Sequence, residues 1–394
     1  MHDSARGGRR LIRFARMDEP VVPAVDPLPE VPVEPSAPAS QPEPPPEPSL
    51  HKMVFTGTGS EYFRVWIVNL ALTILTLGVY SAWAKVRRLQ YFYRHTRLAG
   101  SGFDYHGEPF AILKGRMVGL VLFGLYSAIS YVRFGTAMTI LLVLALAVPW
   151  LLSRSLMFRL HNSSWRGIRF HFGGRTRSAY WVFLVLPFLT VLSLFLAGPF
   201  WHHRMKRFQF ANAAYGQTPF EFHTEAGEFY ITYVAAGAAA VAFGILLIIG
   251  LVGITTVSLL SGTGEPSHGP PQVPAGFFLL MFAGYVTAAV VVQSITAARL
   301  HNAVWSRTRL QGHGFICEVS WWRLFGIQWT NLVATILTLG LFRPFAQVRL
   351  SRYLASAFAL VTAGSLDTLI AADAAAVSAI GEEAAGFFDL DIGF

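Results

Sequence analysis

Seven long apolar segments divide the chain, and basic residues crowd their ends. The segments lie at about 62–83, 117–134, 136–157, 179–200, 230–260, 275–297 and 323–345. A helix needs roughly 20 apolar residues to cross about 30 Å of hydrocarbon. The pattern therefore predicts a multi-pass membrane protein. Composition agrees, because 53% of the residues are hydrophobic, only 13% are charged, and the mean hydropathy is +0.46.

The basic residues restrict how these segments can cross. Cytoplasmic loops carry an excess of Lys and Arg, and loops such as 84–116 and 154–178 are basic, whereas Ser261–Pro274 has neither residue. Since successive loops of simple crossings alternate between sides, three segments are predicted to enter and leave on the cytoplasmic side. Seven ordinary helices that violate the charge rule are the alternative. The three segments are 62–83, 179–200, which Pro187 interrupts, and 323–345.

One ten-residue segment occurs twice, as Asn69-Leu-Ala-Leu-Thr-Ile-Leu-Thr-Leu-Gly78 and Asn331-Leu-Val-Ala-Thr-Ile-Leu-Thr-Leu-Gly340. Shorter matches follow it, including Thr96-Arg-Leu98 with Thr308-Arg-Leu310. They predict a repeated unit of a buried element, a basic amphipathic helix, a Gly-bearing turn and a short strand-like piece. In the last unit an apolar stripe predicts an amphipathic helix through Val361, lying in the headgroup plane.

We therefore predict an all-α polytopic membrane protein. Its internally repeated units would combine transmembrane hairpins, re-entrant or interfacial helices and basic amphipathic helices, with both termini cytoplasmic. Residues 1–52 are predicted to be a disordered, basic and Pro/Glu-rich arm, because proline at this density prevents helix formation. Residues 53–363 are the predicted repeated membrane domain, and 364–394 an acidic cytoplasmic tail.

Four motifs carry a resemblance to a known family. The chain resembles the YjgN family of bacterial inner-membrane proteins, a domain of unknown function, from about Phe55 onward. The resemblance implies a multi-pass protein of the bacterial inner (cytoplasmic) membrane and implies no reaction. The motifs are Phe55-Thr-Gly-Thr-Gly-Ser-Glu-Tyr-Phe-Arg-Val-Trp66, Leu75-Thr-Leu-Gly-Val-Tyr-Ser-Ala-Trp-Ala-Lys-Val-Arg-Arg88, Asp104-Tyr-His-Gly107 and Gly381-Glu-Glu-Ala-Ala-Gly-Phe-Phe-Asp-Leu-Asp-Ile-Gly393.

A set of polar residues lies within the repeated apolar segments, spaced by three or four so that each triplet shares one helical face. Such a face either lines a solute path or joins helices by hydrogen bonds. The residues of this candidate polar face are Asn69, Thr73, Thr76, Asn331, Thr335 and Thr338.

A second set is basic and lies beside aromatic residues at the ends of apolar segments. Near a membrane surface each positive charge attracts anionic lipid by about 1 kcal/mol. Contact with anionic phospholipid headgroups or an anionic solute is one interpretation, and simple anchoring by the positive-inside rule is the other. The residues are Lys85, Arg87, Arg88, Arg349 and Arg352.

The sequence predicts neither catalysis nor a cofactor. Its 12 histidines and single Cys317 show no metal-ligand spacing, and the arginines form no single patch of the kind that binds nucleic acid. The first functional hypothesis is transport or permeation of a small solute where broken repeat elements meet. The second is a non-catalytic membrane scaffold that interacts with anionic lipid. The sequence predicts no oligomeric state.

Overall fold

The computed structural model describes residues 48–130, 134–261, 275–364 and Leu366. These residues all belong to one compact unit, Pro45–Phe394. The predicted arm lies outside the described residues up to position 47, while Ser49–Lys52 forms a strand. Of the predicted acidic tail, only Gly364 and Leu366 are described.

The apolar segments fold into helices of two lengths. Among the described residues, four helices are long and apolar enough to cross a membrane, judged by length and composition: α3, α4, α8 and α9. The remaining three apolar segments instead form bent helix pairs, because turns interrupt them after Leu75, Leu192 and Leu337. The helices are α1 Gly59–Leu75, α2 Ser81–Arg94, α3 Pro109–Ser130, α4 Phe134–His161, α5 Thr176–Tyr180, α6 Leu186–Leu192, α7 Gly198–Ala211, α8 Ala226–Ser261, α9 Ala275–Ser306, α10 Trp321–Leu337 and α11 Arg343–Ser356, with a π-helical segment, Trp181–Val185, between α5 and α6.

Short antiparallel strands between the helices form one sheet that closes on itself. Its strand order is β1-β11-β10-β9-β8-β7-β6-β5-β4-β3-β2. Because only Met53 separates β1 from β2 in the chain, the two ends of this order meet and the sheet is a near-barrel. The strands are β1 Ser49–Lys52, β2 Val54–Phe55, β3 Thr96–Leu98, β4 Ser101–Tyr105, β5 Ser163–Trp165, β6 Ile168–Phe172, β7 Ala213–Tyr215, β8 Thr218–Phe222, β9 Thr308–Leu310, β10 His313–Cys317 and β11 Phe358–Thr362.

Two-residue turns fix the register of the hairpins β3–β4, β5–β6 and β9–β10. Their first residues have φ of 47°, 49° and 47°, and a glycine with φ of 76°, 84° or 83° follows each. Two successive positive φ angles define the type I′ turn, whose twist matches that of paired strands. The turns are Ala99-Gly100, Arg166-Gly167 and Gln311-Gly312.

The prediction of an all-α fold is therefore wrong. Strands of two to five residues are too short for periodicity to identify, and each is stabilised by partners distant in sequence, such as Tyr105 paired with Ser163. For the same reason the helix predicted to reach Val361 ends at Ser356. The segment after it forms β11, which pairs with β1 and β10.

The same order of elements, a helix pair followed by two strands, occurs five times around the described sheet; in the third pair α5, the π-helical segment and α6 together form the first helix. In the fifth occurrence α10 and α11 lead into β11, and β1 from the other end of the chain supplies the second strand. We call α2, α4, α7, α9 and α11, which each lead directly into a strand, the inner helices. The other helix of each pair also packs against the inner helix of a neighbouring pair: α3 on α2, α5 on α4, α8 on α7, α10 on α9 and α1 on α11.

Candidate functional site

Side chains from all five inner helices line one chamber of about 500 Å³. The chamber lies where the inner helices enter the sheet, since strand residues such as Phe103 and Phe220 also line it. Each inner helix supplies at least one side chain: Tyr93 from α2, Arg159 from α4, Gln209 from α7, Trp305 from α9 and Ser351 from α11.

A second cavity, of about 440 Å³, adjoins the chamber between α7 and α9. Phe210 and Trp305 line both spaces. His202 and Lys206 of α7 and His301 of α9 line the second cavity. The two spaces together thus bring basic side chains of three inner helices towards one region.

The charged lining of these spaces is positive. Burial lowers the pKa of Lys206, and the charge of Arg159 lowers it further. Burial, together with the charge of Lys206, lowers the pKa of His202 to about 4. His202 is therefore neutral at pH 7, and its Nδ1 lies 2.9 Å from the hydroxyl of Tyr233. Arg159 and Lys206 are the cationic groups here.

A ring of large apolar side chains separates the chamber from the interior of the near-barrel. Four of its members line both the chamber and an apolar cavity of about 100 Å³ inside the sheet, and the fifth lines the inner cavity. The phenyl groups of Phe170 and Phe220 have their centroids 6.4 Å apart, and those of Phe220 and Phe315 have theirs 6.3 Å apart. We call this set the apolar ring: Met53, Phe103, Phe170, Phe220 and Phe315.

An arginine occupies the same place on every inner helix, nine residues before the strand that follows, as Arg87 precedes Thr96 (96 − 87 = 9). The residue just before each of these arginines is buried, whereas four of the five arginines are exposed and Arg204 is half-buried. Three of them lie over aromatic rings at 5.0–5.6 Å. We call this set the arginine ring: Arg87, Arg154, Arg204, Arg299 and Arg349.

The predicted polar face lies at the two bent helix pairs α1–α2 and α10–α11. The hydroxyls of its four threonines donate to carbonyl oxygens one turn back in their own helices, at 2.6–2.7 Å. The hydroxyls of Thr76 and Thr338 also accept from the amides of Tyr80 and Phe342, which stabilises the turns. These contacts place the threonines in the bends of the chain.

The two asparagines of this face are buried. Asn331 Nδ2 donates to the Ala346 carbonyl at 3.2 Å, and its Oδ1 accepts from Arg349 at 3.4 Å. Asn69 Oδ1 has no hydrogen-bond partner among the described residues. Neither asparagine lines the chamber. Their predicted role in a solute path stays a prediction.

The predicted basic residues lie in different places. Arg87 and Arg349 belong to the arginine ring, and Arg349 donates to the Thr330 hydroxyl at 2.8 Å. Arg352 donates to the Gly57 carbonyl at 2.9 Å. Burial lowers the pKa of Lys85, and the charges of Arg116, Arg159 and Arg88 lower it further.

Sequence reasoning missed Arg159 and Lys206, as well as the other three members of the arginine ring. The constant spacing between arginine and strand is present in the sequence. The spacing can be recognised only when the strands are known, because the loops and the first helices of the five pairs differ in length. Among the described residues, no group of three His, Cys, Asp or Glu side chains could hold a metal ion.

Comparison with known proteins identifies the family to which the chain is similar. Residues 50–387 match the model of a family described as bacterial protein of unknown function, DUF898. The inner membrane protein YjgN of Salmonella typhimurium is 29% identical over 147 residues, which are 37% of each chain. The YjgN proteins of Escherichia coli K12 and O157:H7 are 29% and 32% identical over 152 and 150 residues, or 36% of each chain.

These alignments span little more than a third of the length of the relatives. No solved structure matches the chain significantly. The family model, by contrast, covers most of the chain, and the four long apolar helices agree with the location of the relatives. The chain belongs to the DUF898 family of bacterial proteins of unknown function, which includes the inner membrane protein YjgN.

Proposed function

We propose that this protein passes a small solute across the bacterial inner membrane through the chamber between the inner helices, without catalysing a reaction. One observation carries the proposal: all five inner helices contribute side chains to a single chamber. Interrupted helices around a central site are the architecture that many transporters use.

Helix length supports an arrangement in which two helix pairs cross the membrane and the other three only enter it. The inner helices α2, α7 and α11 have 14 residues each, about 21 Å at 1.5 Å per residue, which is less than the roughly 30 Å of hydrocarbon. The turns of these three pairs expose Leu77, Leu194 and Leu339, which are 96%, 83% and 94% exposed. Apolar turns of this kind suit re-entrant elements whose tips contact lipid.

Under this proposal the whole near-barrel lies on one side of the membrane. Each helix pair leaves the near-barrel and returns to it, so every hairpin lies on the same side as β1 and β11. In the two long inner helices, α4 and α9, Arg154 and Arg299 lie seven residues before the strand end, and cytoplasmic flanks carry the excess of positive charge. The proposal therefore assigns the near-barrel and both ends of the described chain to the cytoplasmic side.

Flux through reconstituted protein tests the proposal. Full-length protein in liposomes, challenged with potassium chloride, potassium phosphate, urea or glycerol, should equilibrate at least one solute faster than protein-free liposomes in stopped-flow light scattering. Gln209→Trp fills the chamber and should reduce that flux. Leu142→Trp, at an exposed position of α4, adds a comparable bulk outside it and should not.

Two results would count against passage through the chamber. One is wild-type protein that equilibrates no solute faster than empty liposomes. The other is Gln209→Trp protein that remains folded and carries the same flux as the Leu142→Trp control.

The arginine ring favours a second function, a non-catalytic scaffold that binds anionic phospholipid. Guanidinium groups beside aromatic rings at a membrane boundary attract anionic headgroups. Arg154, for example, lies 5.6 Å from the centre of the Trp150 ring. If this function is correct, replacing Arg154 and Arg299 by Gln should reduce binding to phosphatidylglycerol bilayers relative to phosphatidylcholine, without changing solute flux.

A further inference from the structure

The chamber concentrates positive charge from separate elements. Arg159 of α4 lines the chamber, and Lys206 of α7 lines the adjoining cavity. The two charges are close enough for Arg159 to disfavour protonation of Lys206. Lys85 of α2 is affected by Arg159 in the same way. Lys85 lines neither space and is exposed, so two inner helices, α4 and α7, direct cationic groups at this region.

Carboxylates do not neutralise this charge in the described part of the chain. Neither the guanidinium of Arg159 nor the amine of Lys206 has an ion-pair partner there. The acidic side chains that form ion pairs do so elsewhere, where Asp104 pairs with Arg94, Glu228 with Arg307 and Glu221 with His223.

Uncompensated cations in a partly desolvated space are unfavourable. Arg159 is exposed and Lys206 is half-buried, so the cost of withdrawing an unpaired charge from water applies in part to Lys206. The remaining lining includes hydrogen-bond donors that do not carry charge, such as the Gln209 amide and the Ser351 hydroxyl. A site of this composition attracts a negative solute and repels a positive one.

We infer that the chamber and the adjoining cavity together form a binding site for a small anion, such as an inorganic oxyanion or a short carboxylate, held by Arg159 of the chamber and Lys206 of the cavity, with Gln209 as a neutral donor. This inference rests on the proposed function and names the charge of the solute. The apolar ring closes the cytoplasmic end of the site, so the anion binds on the side of the ring that faces the membrane-inserted helices.

Direct binding tests the site independently of transport. Full-length protein in phosphatidylcholine nanodiscs, which contribute no net lipid charge, is titrated calorimetrically with sodium phosphate and sodium nitrate. Wild-type protein should bind at least one of these anions, and exchanging sodium for potassium should change nothing. Each charge removed in Arg159→Gln or Lys206→Gln should weaken binding by about tenfold or more.

Matched variants distinguish the effect of removing a charge from the effect of misfolding. Lys206→Arg keeps the charge and should retain binding, and Arg87→Gln removes a charge from the arginine ring and should bind like wild type. If Arg159→Gln does not fold, Lys206→Gln against Lys206→Arg decides the question alone. Equal binding by Lys206→Gln and Lys206→Arg would overturn the inference, as would absence of anion binding by the wild type.

Binding and flux together distinguish the two proposals. Anion binding that depends on Lys206, without flux of any solute, would leave the site standing and refute transport. Flux of urea, glycerol or cations that Lys206→Gln does not alter would leave transport standing and refute the anion site.

Discussion

The amide of Met53 donates a hydrogen bond of 2.9 Å to the carbonyl oxygen of Phe358. This bond lies between β1 and β2, where the first strands of the chain meet its last strand and the sheet closes. Met53→Pro removes the donor, and an unsatisfied buried carbonyl costs about 1–3 kcal/mol. We expect a lower thermal unfolding midpoint in detergent, with Met53→Leu, which keeps the amide and the side-chain bulk, close to wild type. A Met53→Pro protein as stable as Met53→Leu would contradict this closure.

The apolar ring is expected to act as the barrier between the chamber and the cytoplasm. Hydrophobic constrictions close pores by excluding water, so Phe220→Ala should raise solute flux in liposomes. Because loss of a packed phenyl ring costs about 3–5 kcal/mol, stability must be controlled. Phe183→Ala removes a ring that packs on Phe208 outside the near-barrel and should lose stability without raising flux. A leak of the same size in both variants would show that loosened packing, not the ring, controls passage.

Anion binding in the chamber should weaken as pH rises towards alkaline values. Burial and Arg159 lower the pKa of Lys206, so its charge is complete at low pH and is lost below the pH, about 10.4, at which an ordinary lysine titrates. His202, with a pKa of about 4, stays neutral through this range, and Arg159 and His301 are the other groups that act on or face Lys206. Titrations with sodium nitrate, whose charge does not change between pH 7 and 10, should show the loss in wild type, while Lys206→Arg should bind nitrate equally throughout. A wild-type profile as flat as that of Lys206→Arg would rule out Lys206 as the charged contact.

The buried asparagines of the predicted polar face are expected to matter for stability. Asn331 is hydrogen-bonded to the Ala346 carbonyl, and each such bond contributes about 0.5–1.5 kcal/mol. The double variant Asn69→Leu/Asn331→Leu should therefore unfold at a lower temperature and retain flux. Thr287→Val, which removes a hydroxyl bonded within its own helix, provides the control. Loss of flux from a double variant as stable as wild type would instead place these residues in the solute path.

The proposed membrane sidedness can be tested at the hairpins of the near-barrel, which are all expected on one side. Reporter fusions at Ser101, Thr176, Tyr215 and Gln311, which lie in or just after these hairpins, should all report the cytoplasm. A periplasmic result at Tyr215 or Gln311 would require one of the bent helix pairs to cross the membrane, and would exclude the re-entrant arrangement.

The bent helix pairs were accessible to sequence reasoning, while the strands between them were not. Basic residues at both ends of 62–83, 179–200 and 323–345 predict segments that do not cross, and each of these segments contains a turn; that they do not cross stays a prediction. The stripe that ends at Val361 was interpreted as helix, because Leu360 and its neighbours can satisfy a helical pattern as well as a strand. Pairing of Leu360 with His51, more than 300 residues away, decides the outcome, and no local pattern records it.

The sequence by itself determined the membrane class, the apolar segments and their interruptions, because hydrophobic length and flanking charge act locally. Only the tertiary structure decided which side chains share a space. Closure of the sheet through Met53 and Phe358 brings five inner helices around one chamber, so that Arg159 and Lys206, which two strands and the first part of a bent helix pair separate in the chain, line adjoining spaces. This proximity depends on strand pairing between distant segments of the chain. The stabilisation that such pairing provides requires the complete near-barrel.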